Sequence, residues 1–150
     1  MIPPNRYALG QIWRNERYYL SDDGQWKPKF EVVLAQSPDS DDVLTACFTS
    51  KPHGLTDAPA CCIGPQRFGY YVGLLGKPME LESWVDFKSV DYRDPFETNK
   101  WFKGGFVKLS GLLLTNTVLR DVLECLKQSD DLKKRQSNWI HSTLGKLPRT

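Results

Sequence analysis

Residues 30–50, FEVVLAQSPDSDDVLTACFTS, hold two runs of strand character on either side of a polar break. The first, FEVVLA (30–35), is short and rich in β-branched residues, with Pro28 before it and SPDSDD after it, and reads as a central strand. The second, VLTACFTS (43–50), alternates: Leu44, Ala46 and Phe48 fall on one face, and Val43, Thr45, Cys47 and Thr49 on the other. With the bulkier first set against the core, Thr49 points away from it. The run ends in a Thr-Ser pair, and Lys51 and His53 follow beside Pro52 and Gly54. Polar groups gathered where a strand gives way to a loop are where many sites are built.

Working outward, GQIWRNERYYL (10–20) reads as a first strand running into a polar loop, SDDGQWKPK. Downstream, KPHGLTDAPACCIGPQRFG (51–69) contains three prolines and no periodicity and reads as one long loop. YYVGLLG and LESWVDF are two further strands joined through KPME. In LESWVDF, Trp84 and Asp86 share a face opposite Val85. A polar stretch, KSVDYRDPFETNKW, precedes a last strand, GGFVKLS. The period then changes. With Thr115 as N-cap, Val118, Leu119, Val122, Leu123 and Leu126 recur at three and four residues, which predicts an amphipathic helix. A second helix, capped by Asp130 or Asp131, is expected through about residue 144.

This order predicts a mainly β chain with C-terminal α structure, residues 1–150 forming one domain. A small, strongly curved barrel over about 9–110 is followed by one or two helices over about 115–147. The formal charge of +2 is far below that of a dedicated nucleic-acid coat, but it is unevenly spread. The last 19 residues hold five basic and no acidic side chains, leaving 15 basic against 18 acidic residues in the rest. That basic tail suits RNA or an acidic partner.

No apolar run approaches the ~18 residues of a membrane span. The N-terminus lacks the pattern of a signal peptide, so a soluble, cytoplasmic protein is expected. Cys61 and Cys62 are adjacent while Cys47 and Cys125 stand alone, which offers no C-x-x-C pair and no zinc-type spacing. Reduced thiols and no metal are the expectation. Phosphate-loop, G-x-S-x-G and H-E-x-x-H motifs are absent, which removes nucleotide hydrolase, α/β-hydrolase and zinc-protease readings.

Gly10-Gln11-Ile12-Trp13, then KFEVVLA, then ACFTS, then LESWVDFKSVDY, then KGGFVKLSG with its Leu-rich helix, together resemble the MazF/PemK-type endoribonuclease toxins. The resemblance spans roughly residues 9–128 and rests on the ordered succession of short motifs. It implies an SH3-like (MazF/PemK/CcdB-like) barrel and metal-independent cleavage of single-stranded RNA with no cofactor. A cognate antitoxin and a homodimer are implied in the same way. Thr49 then matches the family's active-site threonine and Lys29 its arginine, with Ser50 extending the hydroxyl pair. Asp86 occupies the place of a polar residue of the site, and Arg14 and Arg17 lie near a mobile loop that helps cover RNA.

One departure stands out: Lys29-Phe30 replaces the family's Arg-Pro, which keeps a charge but loses the two-pronged guanidinium geometry. Residues 52–80 also read as an insertion.

Metal-free RNA cleavage needs a base for the ribose 2′-hydroxyl, donors for the charged phosphorus intermediate and an acid for the leaving oxygen. Thr49 and Ser50 can donate to phosphate oxygens, Lys29 can neutralise charge, and His53 titrates nearest neutrality. Thr49 is equally readable as a strand-ending residue on a solvated face, and His53 as an exposed loop histidine. Lys51 and Arg67 are further phosphate candidates, Arg67 with Phe68, Tyr70 or Tyr71 stacking on a base. His141 reads as surface. The alternative to the nuclease is a non-catalytic barrel that binds protein or nucleic acid.

Overall fold

The computed structural model describes residues 5–52, 54–64, 67–130 and 132–148. Seven strands form one antiparallel sheet: β1 (Gln11–Leu20), β2 (Trp26–Gln36), β3 (Val43–Thr49), β4 (Cys61–Gly64), β5 (Arg67–Gly73), β6 (Ser83–Arg93) and β7 (Val107–Leu113). Their spatial order is β4-β5-β6-β3-β2-β1-β7, so the two runs of the opening stretch, β2 and β3, lie side by side at the centre. Three helices accompany the sheet among the described residues: α1 (Pro95–Lys103), α2 (Asn116–Leu126) and α3 (Lys134–Lys146).

The expected mainly β chain with C-terminal helices is present, but the sheet does not close. β4 and β7 are its free edges. The segment between β3 and β6 in the chain supplies β4 and β5, which extend the sheet at one side. The stretch 51–69 is not one long loop, because Cys61–Gly64 and Arg67–Gly73 pair as a hairpin at the sheet edge. Its prolines and glycines hid a strand only four residues long. KSVDYRDPFETNKW is also more ordered than expected. Its first half continues β6 to Arg93, and its second half is α1, where the Asp94 side chain accepts from Phe96 N and Pro95 opens the helix.

Both faces of the central strands are covered, which is why every residue from Val43 to Phe48 is buried. On the first face Leu44, Ala46 and Phe48 of β3 join Val32, Leu34 and Val85 in the main core under α2 and α3. Thr115 caps α2 as the periodicity predicts, accepting from Val118 N at 3.2 Å. Its stripe of Leu119, Val122, Leu123 and Leu126 is fully buried, at roughly 1.5–3 kcal/mol per side chain. α3 begins later than expected, with Lys133 as its N-cap, and Asp131 lies outside the described residues. Thr143 on its buried face accepts from Gln36 N at 3.0 Å and stitches the helix to β2.

On the second face a smaller cluster of Trp13, Val33, Val43 and Val107 packs under Trp101, Phe102 and Phe106 from α1 and the segment after it. Beside that cluster the same face turns polar, and this boundary positions the candidate site.

Candidate functional site

The second face can be built as two rows across the strands. Glu31 of β2 pairs with Cys47 of β3, and Cys47 with Asp86 of β6. One pleat further along, Lys29 pairs with Asn15 of β1, and Thr49 with Trp84. The register that pairs Glu31 with Cys47, continued by two residues, sets Lys29 beside Thr49 on the same side of the sheet. Ser89 fills the interruption of the ladder in β6, accepting from Cys47 N at 2.6 Å and donating to Asp86 O at 2.6 Å.

Glu31 is 1% exposed and fully bonded. Its Oε1 accepts from Thr45 Oγ1 at 3.1 Å and from Arg93 Nη2 and Nε at 2.9 and 3.1 Å, while Oε2 accepts from Asn15 Nδ2 at 2.9 Å. A buried carboxylate is tolerable only with this degree of pairing. Burial works against the charge on Arg93, but Glu31 and Asp91 outweigh it and push the guanidinium pKa up. Next to this group the Tyr18 side chain lies against Cys47. Burial, reinforced by the nearby Glu31 charge, pushes the Cys47 thiol up to about 12, and burial also raises Tyr18.

Ser50 lines a hollow of about 300 Å³ on the first face, floored by Phe30, Phe48 and Met79 and bordered by Glu80. Lys29 borders it through its place in β2, but its side chain alternates with Phe30 and lies on the second face, where its charge acts on Cys47. Among the described residues neither has an ion pair or a hydrogen-bond partner for its side chain, so both polar heads are available to a ligand. Thr49 lies at the edge of this arrangement but is not free. Its Oγ1 donates to Lys51 O at 3.0 Å and accepts from Lys51 N at 3.2 Å, a local turn that commits its proton.

The other expected site residues scatter. Arg14 and Arg17 both lie inside β1 but face opposite sides. Arg14 covers Phe30 and pairs with Glu16 at 2.7 Å, whereas Arg17 covers Phe106 on the second face. Asp86 turns its Oδ1 to Lys88 N at 3.0 Å and serves the bulge of its own strand. Arg67 is exposed on the edge hairpin, paired through its backbone with Gly64, and two strands separate it from Lys29. Lys51 is exposed in the turn, His141 is exposed on α3, and His53 lies outside the described residues.

Glu31, Arg93, Asn15, Tyr18 and Glu80 carry the polar character of this region and were not singled out from the sequence. A signal for Glu31 existed, since it is the one charged residue in the otherwise apolar run FEVVLA.

A second concavity of about 580 Å³ opens on the second face, where Asn15 and Arg93 meet Arg17, Tyr19, Trp26 and Trp101. Asn15 therefore borders this trough and also neighbours Lys29 across the β1–β2 ladder.

Among the described residues, no group of three His, Cys, Asp or Glu side chains converges as a metal site. Cys61 and Cys125 form a disulfide, against the expectation of reduced thiols. It joins β4 to α2 across 64 positions, and Cys47 and Cys62 remain free and buried. The two partners are distant in sequence, and only the packing of α2 against the edge hairpin brings them together. Comparison with protein-family models, with curated proteins and with solved structures finds no match to this chain.

Proposed function

We propose that the chain cuts single-stranded RNA without a metal, at the end of β2 and β3 where Lys29 and Ser50 lie. The observation that carries this reading is one free ammonium and one free hydroxyl at the same end of β2 and β3, with Thr49 set beside Lys29 on the adjacent strand. Attack of a ribose 2′-oxygen on phosphorus yields a 2′,3′-cyclic phosphate and releases a 5′-hydroxyl. In this scheme Ser50 donates to a non-bridging oxygen at the hollow, and Lys29 supplies positive charge to the strand's phosphates on the adjoining face. Glu80, the carboxylate on the rim, takes the 2′-proton, with His53 as the other candidate base, and solvent water supplies the proton that turns the leaving 5′-oxygen into a hydroxyl.

The sequence resemblance adds a toxin role, a neutralising antitoxin, a homodimer, and descent of the open sheet from an SH3-like barrel. It also adds a cytoplasmic setting. No helix among the described residues is long and apolar enough to cross a membrane. The Cys61–Cys125 disulfide pulls the other way, because such bonds persist in oxidising compartments, so a cytoplasmic toxin would carry it as a reversible bond.

One observation favours a second reading, a binding module that does not cut. The Thr49 proton is committed to Lys51 O. Incubation of the purified chain with single-stranded RNA in excess chelator decides between them. Cleavage that is lost in Lys29→Ala and Ser50→Ala supports the nuclease. Retention of intact RNA by the unmodified chain supports the module.

A further inference from the structure

The trough beside Asn15 has the chemistry of a stacking platform. Trp26 is 52% exposed and Tyr19 47%, and both line the trough, where grouped exposed aromatic surface marks an interaction site. Trp101 and Phe106 form the opposite wall. A guanidinium lies over each of these two: Arg93 Cζ is 5.3 Å from the Trp101 ring centre and Arg17 Cζ is 5.1 Å from that of Phe106. The two cations differ in what they have left to offer. Arg93 is neutralised by Glu31 and Asp91, so it braces Trp101. Arg17 is exposed, and no carboxylate among the described residues pairs with it. A trough with open aromatic faces and one uncompensated guanidinium matches a flat base followed by a phosphate, which is the repeating unit of a single strand.

We propose that this trough is a base-stacking subsite for single-stranded nucleic acid, with Trp26 as the principal stacking surface, Trp101 as its opposing wall and Arg17 as the phosphate contact. Asn15 lies between the trough and Lys29, so a strand seated here leads toward Lys29. The inference rests on the reading that the chain engages single-stranded RNA. It does not require that the RNA be cut.

Tryptophan fluorescence tests it, because Trp13, Trp84 and Trp139 are buried and any quenching by added strand reports on Trp26 and Trp101. The probes are a 2′-O-methyl oligoribonucleotide, which cannot be cut through its 2′-oxygen, a single-stranded DNA of the same sequence, and a duplex. The expected result is quenching by both single strands and weak binding of the duplex. Trp26→Ala should weaken single-strand binding by roughly 5- to 100-fold, and Trp26→Phe should recover most of it. Arg17→Ala should lower the slope of log affinity against log salt by about 1. Trp26 is exposed, so its variants leave the core intact. Unchanged affinity in Trp26→Ala, or equal binding of the duplex, overturns the subsite. Quenching without cleavage of ordinary RNA overturns the nuclease and leaves the subsite standing. Cleavage with an unaltered Trp26→Ala affinity does the reverse.

Discussion

Glu31 Oε1 accepts from two nitrogens of one guanidinium, Arg93 Nη2 at 2.9 Å and Nε at 3.1 Å, which ties the centre of β2 to the end of β6 across the intervening β3. The carboxylate is 1% exposed, and its remaining acceptor positions are taken by Thr45 and Asn15. Arg93 in turn supports Trp101, so this pair sets the floor of the trough.

Removing one partner leaves the other buried and uncompensated. Glu31→Ala or Arg93→Ala should each cost about 3–5 kcal/mol in urea unfolding. The double replacement Glu31→Leu with Arg93→Leu should cost less than either, because no buried charge remains. Losses below about 1 kcal/mol in both single variants would contradict a buried ion pair here.

Stability should fall in alkali through Cys47. Its thiol has a reference value of 9.0 and is pushed up to about 12 in the folded chain, chiefly by burial. Between those values the unfolded chain has lost its proton while the folded chain retains it. The native state therefore binds more protons and stability declines as pH rises, by about 1.4 kcal/mol per unit. The contribution is fully present below pH 9 and is lost progressively toward 12. Cys47→Ala should flatten part of the alkaline limb of a stability-against-pH curve. A limb identical to that of the unmodified chain would refute the assignment.

The Cys61–Cys125 bond closes a loop of 64 positions, for which the chain-entropy argument gives about 4 kcal/mol. Urea unfolding with and without a phosphine reductant should differ by an amount of that order. Peptide mapping under non-reducing conditions should return Cys61 linked to Cys125. A map with all four thiols free would remove the bond and with it the anchoring of the edge hairpin to α2.

Ser50 and Thr49 should separate in a cleavage assay. Ser50 has a free hydroxyl on the hollow bordered by Glu80, so Ser50→Ala should lower the rate by about 100-fold, as expected for losing one preorganised donor. Thr49→Ala removes a turn contact to Lys51, and its main effect should be a loss of about 1 kcal/mol of stability. The reverse order, with Thr49→Ala the more damaging to rate, would mean that the turn opens when RNA binds.

Much of the fold was legible because local pattern and tertiary environment agree. The alternation of Leu44, Ala46 and Phe48 does mark the main core, and the three- and four-residue spacing after Thr115 does give α2 with that residue as its cap. Gly10 of the G-x-I-W opening adopts φ +83, and a Cβ there would lie 2.6 Å from Leu114 O, where β1 meets the end of β7. The site was less legible. Lys29 and Ser50 reach the same end of the central strands but face opposite sides, and Arg14 and Arg17 also fall on opposite faces, since three residues along a strand reverse the side.

The amino-acid sequence by itself determined the central strands, the amphipathic C-terminal helix and the side of β3 on which Thr49 lies, because each follows from the repeat of a single element. Only the tertiary structure decided that the sheet stays open, that Cys61 reaches Cys125, and that Glu31 and Arg93, 62 positions apart, neutralise one another. Those outcomes depend on which strands become neighbours. Neighbours are chosen by burial summed over the whole chain, a quantity that no short stretch of sequence contains.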